Sequence, residues 1–367
     1  MDDYGKMKED RCIYGDEERK EIFNKRGSLE AWVEGVRPII KYPNVRFMMY
    51  AGFSAILLKW LSVDSFSVDL YSGIAGTENS DSSSGKTTTC TLVMSGIGNV
   101  NPSHGPSLFN KADSTTNFII NTMAKYPDLP TFFDDSSGLS KKDREMLSYG
   151  TASNVGRGRA TSDGGTQRQQ SKKGIALLNG EQQLIPDNAK TGTKVRVQEI
   201  KGGIGVPNIA NDVDRAKTTC LENSGYILEL YVDEFFKNRS SIKAWYDEAR
   251  KRCIESTDND LTKRKAAYFA VIETSGKLME KVFNRIEIPT VDPQSIVEGV
   301  WNTNIISDEI EPLWLIALKD TWDWFNVNAA THFDIGQYAR DTYGWRAVEK
   351  NTSKPLLNIN KLSLRNS

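Results

Sequence analysis

Three groups of residues have types and spacings that could do chemistry. The first is Gly85-Lys86-Thr87, near the end of the serine-rich stretch ENSDSSSGKTTTC at residues 78–90. A loop that wraps phosphates needs backbone N–H groups pointing into a concavity at a helix N-terminus, a lysine that reaches the terminal phosphates and a hydroxyl that ligates magnesium. Ser82, Ser83, Ser84, Gly85, Lys86, Thr87 and Thr88 supply these groups, with Ser80 standing where a glycine is usual. Read alone, the stretch also fits a flexible serine-rich loop. The second group is Asp134-Asp135, at the end of PTFF and about fifty residues after the lysine. In phosphate-loop NTPases the first acid of such a pair holds magnesium and the second polarises the attacking water. Asp135 is one methylene shorter than the commoner glutamate, and an acidic strand end can also be a solvated one. The third is the basic, glycine-rich TASNVGRGRATSDGGTQRQQSKK: residues 141–173 hold eight Lys or Arg against three Asp or Glu, a local excess of +5. Arg157, Arg159, Arg168, Lys172 and Lys173 could each neutralise a backbone phosphate without reading bases. The plainer alternative is a solvated charged surface.

The elements around these groups are those a phosphate loop requires. SFSVDLYSGIAG alternates and reads as a strand running into the loop, and KTTTCTLVMSGIG reads as the helix that opens after it. LPTFFDDSSG is a short apolar strand ending in the acids, KKGIALLNGEQQLI a strand ending in Asn179, and TKVRVQEI a third in which Val195 and Val197 alternate. Strands interleaved with helices imply a mainly parallel sheet covered on both faces. Upstream, SLEAWVEGVRPIIKY reads as an amphipathic helix capped by Ser28, and VRFMMYAGFSAILLKWL as a buried helix rather than a membrane span. Downstream, CLENSGYILELYVDEFF, SIKAWYDEARKRCIE and TKRKAAYFAVIETSGKLMEKVF have helical spacing. Residues 1–27 are charged with little periodicity and read as a tail or a loosely attached segment, and the segment from DPQSIVEGVWN onward holds five of the eight tryptophans.

Composition sets outer bounds. With 367 residues, 38% hydrophobic and 26% charged, the chain can bury a sizeable core and is folded rather than disordered. A net charge of −1 gives no global attraction to nucleic acid or membrane, so a polyanion must be met by a local patch. Cys12, Cys90, Cys220 and Cys253 lack CxxC spacing and only His104 and His332 could join them, so reduced, buried thiols are expected. The polar N-terminus lacks an apolar leader and no run reaches membrane-spanning length, which implies a cytoplasmic protein with no membrane partner.

The blocks SLEAW, SDSSSGKTTT, TFFDD, NVGRGRATSDGG, LLNGEQQLI, GTKVRVQEI and KRKAAYFAVIETSGKLM, in this order between about Ser28 and Phe283, resemble the family known as domain of unknown function 927. Its better-understood members look like self-loading, MCM-like AAA+ helicases of phages and mobile elements. The resemblance implies a catalytic role for Asn179 as the polar sensor that orients the lytic water. It makes Arg196 an arginine finger acting on a neighbouring subunit's γ-phosphate and Arg264 a second sensor arginine, opening the third lid helix. Each has a local alternative: a turn asparagine before Gly180, an ion-paired strand arginine and a solvated helix start. The basic loop resembles a hairpin that such helicases insert into a central pore.

The expected fold is α/β, an AAA+-like P-loop NTPase core with a parallel sheet at 28–212, following the charged segment 1–27. A helical lid at 213–290 and a small helical or winged-helix-like C-terminal module at 291–367, possibly an incomplete winged helix, complete it. The expected activity is hydrolysis of ATP with Mg2+, driving movement along single-stranded or forked DNA by a homo-hexamer during replication of a phage or mobile element. Asp135, Asn179, Arg196 and Arg264 are the catalytic candidates, and Thr87 and Asp134 the metal ligands. The rival expectations are an ATPase that remodels or loads a protein partner and a nucleotide-dependent scaffold with weak hydrolysis.

Overall fold

The computed structural model describes residues 17–72, 85–113, 116–154, 172–185, 191–204 and 209–308, and beyond them 318, 321, 322, 324, 344–348 and 355–359. Five short segments form the sheet: β1 (Phe66–Tyr71), β2 (Phe109–Lys111), β3 (Pro130–Asp134), β4 (Ile175–Gly180) and β5 (Val197–Lys201). Their order is β2-β3-β4-β1-β5 and every pairing is parallel. β4 is buried throughout, as expected of a parallel strand covered on both faces. Its Leu177 joins one apolar cluster, while Ala176 and Leu178 join another.

Helices account for both clusters. On the first face lie α3 (Pro43–Phe53), α4 (Lys86–Ser95) and α11 (Asp260–Arg285), which contribute Phe47, Val93 and Phe269. On the second lie α5 (Thr116–Lys125) and α6 (Lys141–Ala152), with Ile119, Met123 and Leu147. Because all strands run one way, their carboxyl ends share one edge. β1 sits between β4 and β5, so connections diverge at its carboxyl end, the place where open α/β sheets bind ligands.

Several local readings hold for physical reasons. In α2 (Leu29–Ile40), the cap hydroxyl of Ser28 accepts from Ala31 N at 3.1 Å. α3 is buried from Val45 to Phe53, as an all-round apolar helix must be. Among the described residues no helix is long and apolar enough to cross a membrane. Cys90, Cys220 and Cys253 are free and buried.

Others differ. Residues 17–27 are not a loose tail: α1 (Glu17–Phe23) buries Ile22, whose carbonyl accepts from Asn99 N at 2.8 Å, and Arg26 bridges to Ser224. The helical run expected through CLENSGYILELYVDEFF is two helices, α8 (Ala210–Glu222) and α9 (Ile227–Lys237), broken where Gly225 takes φ +87°. α10 (Arg239–Glu255) and α11 follow. TKVRVQEI is a helix, α7 (Thr191–Arg196), followed by β5, so Arg196 ends a helix rather than lying on a strand. Val195 and Val197 would share a face in a strand, yet they enter opposite clusters, Val195 the first and Val197 the second.

The chain divides into two compact units, residues 1–308 and 309–367. α12 (Pro293–Asp308) lies in the first, where Trp301 stacks edge-on against Phe269 at 5.0 Å. The second contains β6 (Gly344–Val348) and β7 (Pro355–Ile359), paired antiparallel from Gly344↔Ile359 to Val348↔Pro355.

Candidate nucleotide site

Gly85 is the N-cap of α4 and has φ +77°, ψ +17°. This left-handed backbone favours glycine, and a Cβ there would also lie 2.7 Å from Ile204 Cδ1. The N-terminus of α4, with its first-turn N–H groups and dipole, lies near the carboxyl end of β1, where Lys86 meets Ser72. Lys86 is only 7% exposed and donates from Nζ to the hydroxyl of Ser72, the residue after β1. Thr87 Oγ1 donates to Asp134 Oδ1 at 2.9 Å. Asn179 Nδ2 donates to Thr87 Oγ1 and Asp134 Oδ1, both at 2.9 Å, and Asn179 Oδ1 accepts from Asp135 N at 2.8 Å. Residues from α4, β3 and β4 thus meet in one polar cluster. Thr88 is buried in α4, and Ser80, Ser82, Ser83 and Ser84 lie outside the described residues.

Asp135 is exposed and takes φ +60°, with its side chain accepting from Ser137 N at 3.2 Å. Aspartate tolerates this left-handed backbone better than most residues, and the Asn179 contact helps fix it. The residue is thus exposed directly after Asp134, tied to the cluster through its backbone N–H.

Sequence reasoning missed three residues of this region: Asp69, Ser72 and Arg144. Asp69 is fully buried in β1; its Oδ2 accepts from Leu184 N at 2.9 Å and its Oδ1 has no hydrogen-bond partner among the described residues. Burial lifts its carboxyl to about 7, against the lowering effects of the Leu184 N–H, Arg144 and Lys86. An aspartate inside the alternating FSVDLY was the available signal. Burial, then Asp134 and Asp69, push the Cys90 thiol well above its ordinary value, so this neighbour of the cluster is no nucleophile.

Arg196 and Arg264 lie elsewhere. Arg196 donates to Gly192 O at 2.8 Å and stands 5.4 Å from the Tyr149 ring centre. Arg264 is the fifth residue of α11, which starts at Asp260 beneath its Asn259 cap, and so does not open the helix. Both arginines line an open cavity of about 840 Å³ together with Asp64, Asn154, Arg250 and Lys263. Asp64 lies two residues before β1 and Arg196 directly precedes β5, so this cavity is at the amino edge of the sheet. Arg196, at the entry to β5, is therefore at the opposite end of the parallel sheet from Ser72, which follows β1 and meets Lys86.

The basic loop needs one correction. Lys172 is 1% exposed, its Nζ donates to Gly150 O and its backbone N–H to Asn154 O, so it is not free to meet a DNA phosphate. Lys173 is half-buried at the entry to β4, and its carbonyl accepts from Asp128 N at 2.6 Å. Arg157, Arg159 and Arg168 lie outside the described residues.

Comparison with known proteins bears on this arrangement. No curated protein sequence matches the chain. A solved structure described as "SCCmec type IV Cch - active helicase" superposes with a TM-score of 0.70 at 18% identity, covering 94% of this chain and 63% of that one. The chain therefore shares that helicase's fold while spanning less than two thirds of its length. The family model for the domain of unknown function DUF927 matches residues 2–172, a span that includes Lys86, Thr87, Asp134 and Asp135 and stops before Asn179, Arg196 and Arg264. Over that span, which begins earlier and ends earlier than the run of blocks from Ser28 to Phe283, the chain is similar to the DUF927 family.

Proposed function

We propose that this chain is an ATP-dependent DNA helicase or translocase serving replication of a phage or mobile element, built on an AAA+-like P-loop core with a helical lid and a small C-terminal module. The observation that carries the reading is the meeting of Lys86, Thr87, Asp134 and Asn179 at the carboxyl edge of a parallel sheet. A hydroxyl bonded to a carboxylate is a hard oxygen pair that suits magnesium, and a left-handed glycine opening a helix suits phosphate. Thr87 and Asp134 would hold Mg2+, and Gly85, Lys86 and Thr88, with Ser82 to Ser84, would hold ATP. Magnesium, when bound, supplies neutralisation of charge on the β- and γ-phosphate oxygens.

The chain's own residues do the remainder. Lys86 presents its ammonium to the terminal phosphates, exchanging the Ser72 hydroxyl for an anion. Asp135 accepts a proton from the attacking water, and Asn179 keeps that acid beside the Thr87–Asp134 pair by holding its backbone N–H. Arg196 and Arg264 serve a neighbouring subunit of a homo-hexamer, a reading supported by their place at the opposite sheet edge in a cavity that also contains Arg250 and Lys263. Arg157, Arg159, Arg168 and Lys173 are the remaining DNA contacts, with Lys172 removed by its burial.

The burial of Lys172 also favours a second reading, in which the same ATPase remodels or loads a protein partner, because it lowers the loop's usable charge. ATP turnover by the full chain with Mg2+, with and without single-stranded DNA, separates them. Stimulation by DNA supports the motor, turnover without stimulation supports the remodeller, and no turnover leaves a scaffold.

A further inference from the structure

α6 opens with Ser140, whose hydroxyl accepts from Asp143 N at 3.2 Å and bonds Asp143 Oδ2 at 2.6 Å. This cap fixes the first turn, and the next residue, Arg144, turns its guanidinium back over the chain that precedes the helix. Nε donates to Leu139 O at 3.0 Å and Nη2 to Ser137 O at 2.9 Å, both on the loop after β3. Nη1 donates to Gln183 O at 3.0 Å, on the loop after β4. One side chain thus joins the segment that carries Asp135 to the segment that follows Asn179.

The two loops are stitched again by Glu181 N to Ser137 Oγ at 2.8 Å and by Asp135 N to Asn179 Oδ1 at 2.8 Å. From below, Asp69 and Glu199, partners in the β1–β5 register, hold Leu184 N at 2.9 Å and Ile185 N at 2.8 Å. A planar fork suits this task, since it addresses carbonyls of two segments at once, whereas an ammonium is a single point on a flexible stem.

We propose that Arg144 is a positioning residue for ATP hydrolysis, locking the loops after β3 and β4 together so that Asp135 and Asn179 keep their relative geometry. The proposal rests on the ATPase reading above.

The test is steady-state ATP turnover by the full chain, with amide hydrogen exchange measured in parallel. Arg144→Ala should lower kcat by about 10- to 100-fold, the scale expected of a small misplacement, and change KM for ATP by less than about twofold. In an Asp135→Asn background the same substitution should cost less than about a further twofold, because the group it positions has lost its role. Arg144→Lys should remain at least about tenfold impaired, since it cannot reach both loops. The amides of Ser137, Glu181 and Leu184 should exchange faster together. Parental kcat, an equal loss in both backgrounds or unchanged exchange of these amides would overturn the proposal. If the parent chain does not hydrolyse ATP, the functional reading fails by itself and the exchange result decides the lock. Should Arg144→Ala not fold, Arg144→Lys and Ser137→Ala, which removes the Glu181 link, carry both measurements.

Discussion

Replacing Asp69 by asparagine tests the electrostatics beneath the site. Asp69 is fully buried in the central strand, and its carboxyl is lifted from 3.8 to about 7, chiefly by loss of hydration. Because the folded value lies above the unfolded one, folding favours the protonated form. That stability is fully present below about pH 4 and is lost as pH rises through about 7. At about 1.4 kcal/mol per decade, the full effect is about 4 kcal/mol, and the interval from pH 5 to pH 8 contains roughly two thirds of it, about 3 kcal/mol. An asparagine in this place would keep an acceptor for the Leu184 N–H but cannot titrate. The advantage of Asp69→Asn over the parent in urea unfolding should therefore widen by about 3 kcal/mol between pH 5 and pH 8 and level off above that. A difference between the two proteins that stays within about 0.5 kcal/mol across the range would refute the reasoning.

Asp135→Asn should leave nucleotide affinity within about threefold of the parent while lowering turnover at least about tenfold, because binding depends on the loop and magnesium and chemistry on the water; equilibrium titration beside a turnover assay checks this, and equal loss of both would make Asp135 a metal ligand. Arg196→Ala should cut turnover about 1,000-fold or more with little change in ATP affinity. Mixing it with Lys86→Ala should restore part of the activity, since some interfaces then pair an intact loop with an intact arginine; no rescue in proven mixed assemblies contradicts the assignment. Replacing Arg157, Arg159 and Arg168 by alanine should weaken single-strand binding equally for two unrelated oligonucleotides and flatten the slope of log affinity on log salt by about 0.7 for each phosphate no longer neutralised. An unchanged slope with unchanged affinity removes the loop from the DNA path.

Much of the site's frame was legible because its signals are local. A glycine before lysine and threonine, an acid pair ending an apolar strand and an N-cap serine each announce themselves within a few residues, and β1, β3, β4, α2 and α4 stand where their patterns indicate. The convergence of Thr87, Asp134 and Asn179 depended on strand order, which no short pattern encodes. α7 was misread because Val195 and Val197 mimic alternation, and only the opposite clusters they enter show a helix ending between them. Lys172 has the pattern of a phosphate contact in a basic run, yet its long stem lets the ammonium bond a carbonyl inside the fold. Arg144 gave no signal at all: its three acceptors, Ser137, Leu139 and Gln183, are brought together only by the turns after β3 and β4.

Strand separation on a forked DNA in the presence of ATP and Mg2+ tests the central claim most directly, with Lys86→Ala run beside the parent chain. The parent should separate the strands with ATP and not with an analogue that resists hydrolysis, and Lys86→Ala should separate none. A parent that hydrolyses ATP while leaving the fork intact, or a fork opened equally well by Lys86→Ala, would contradict the helicase assignment.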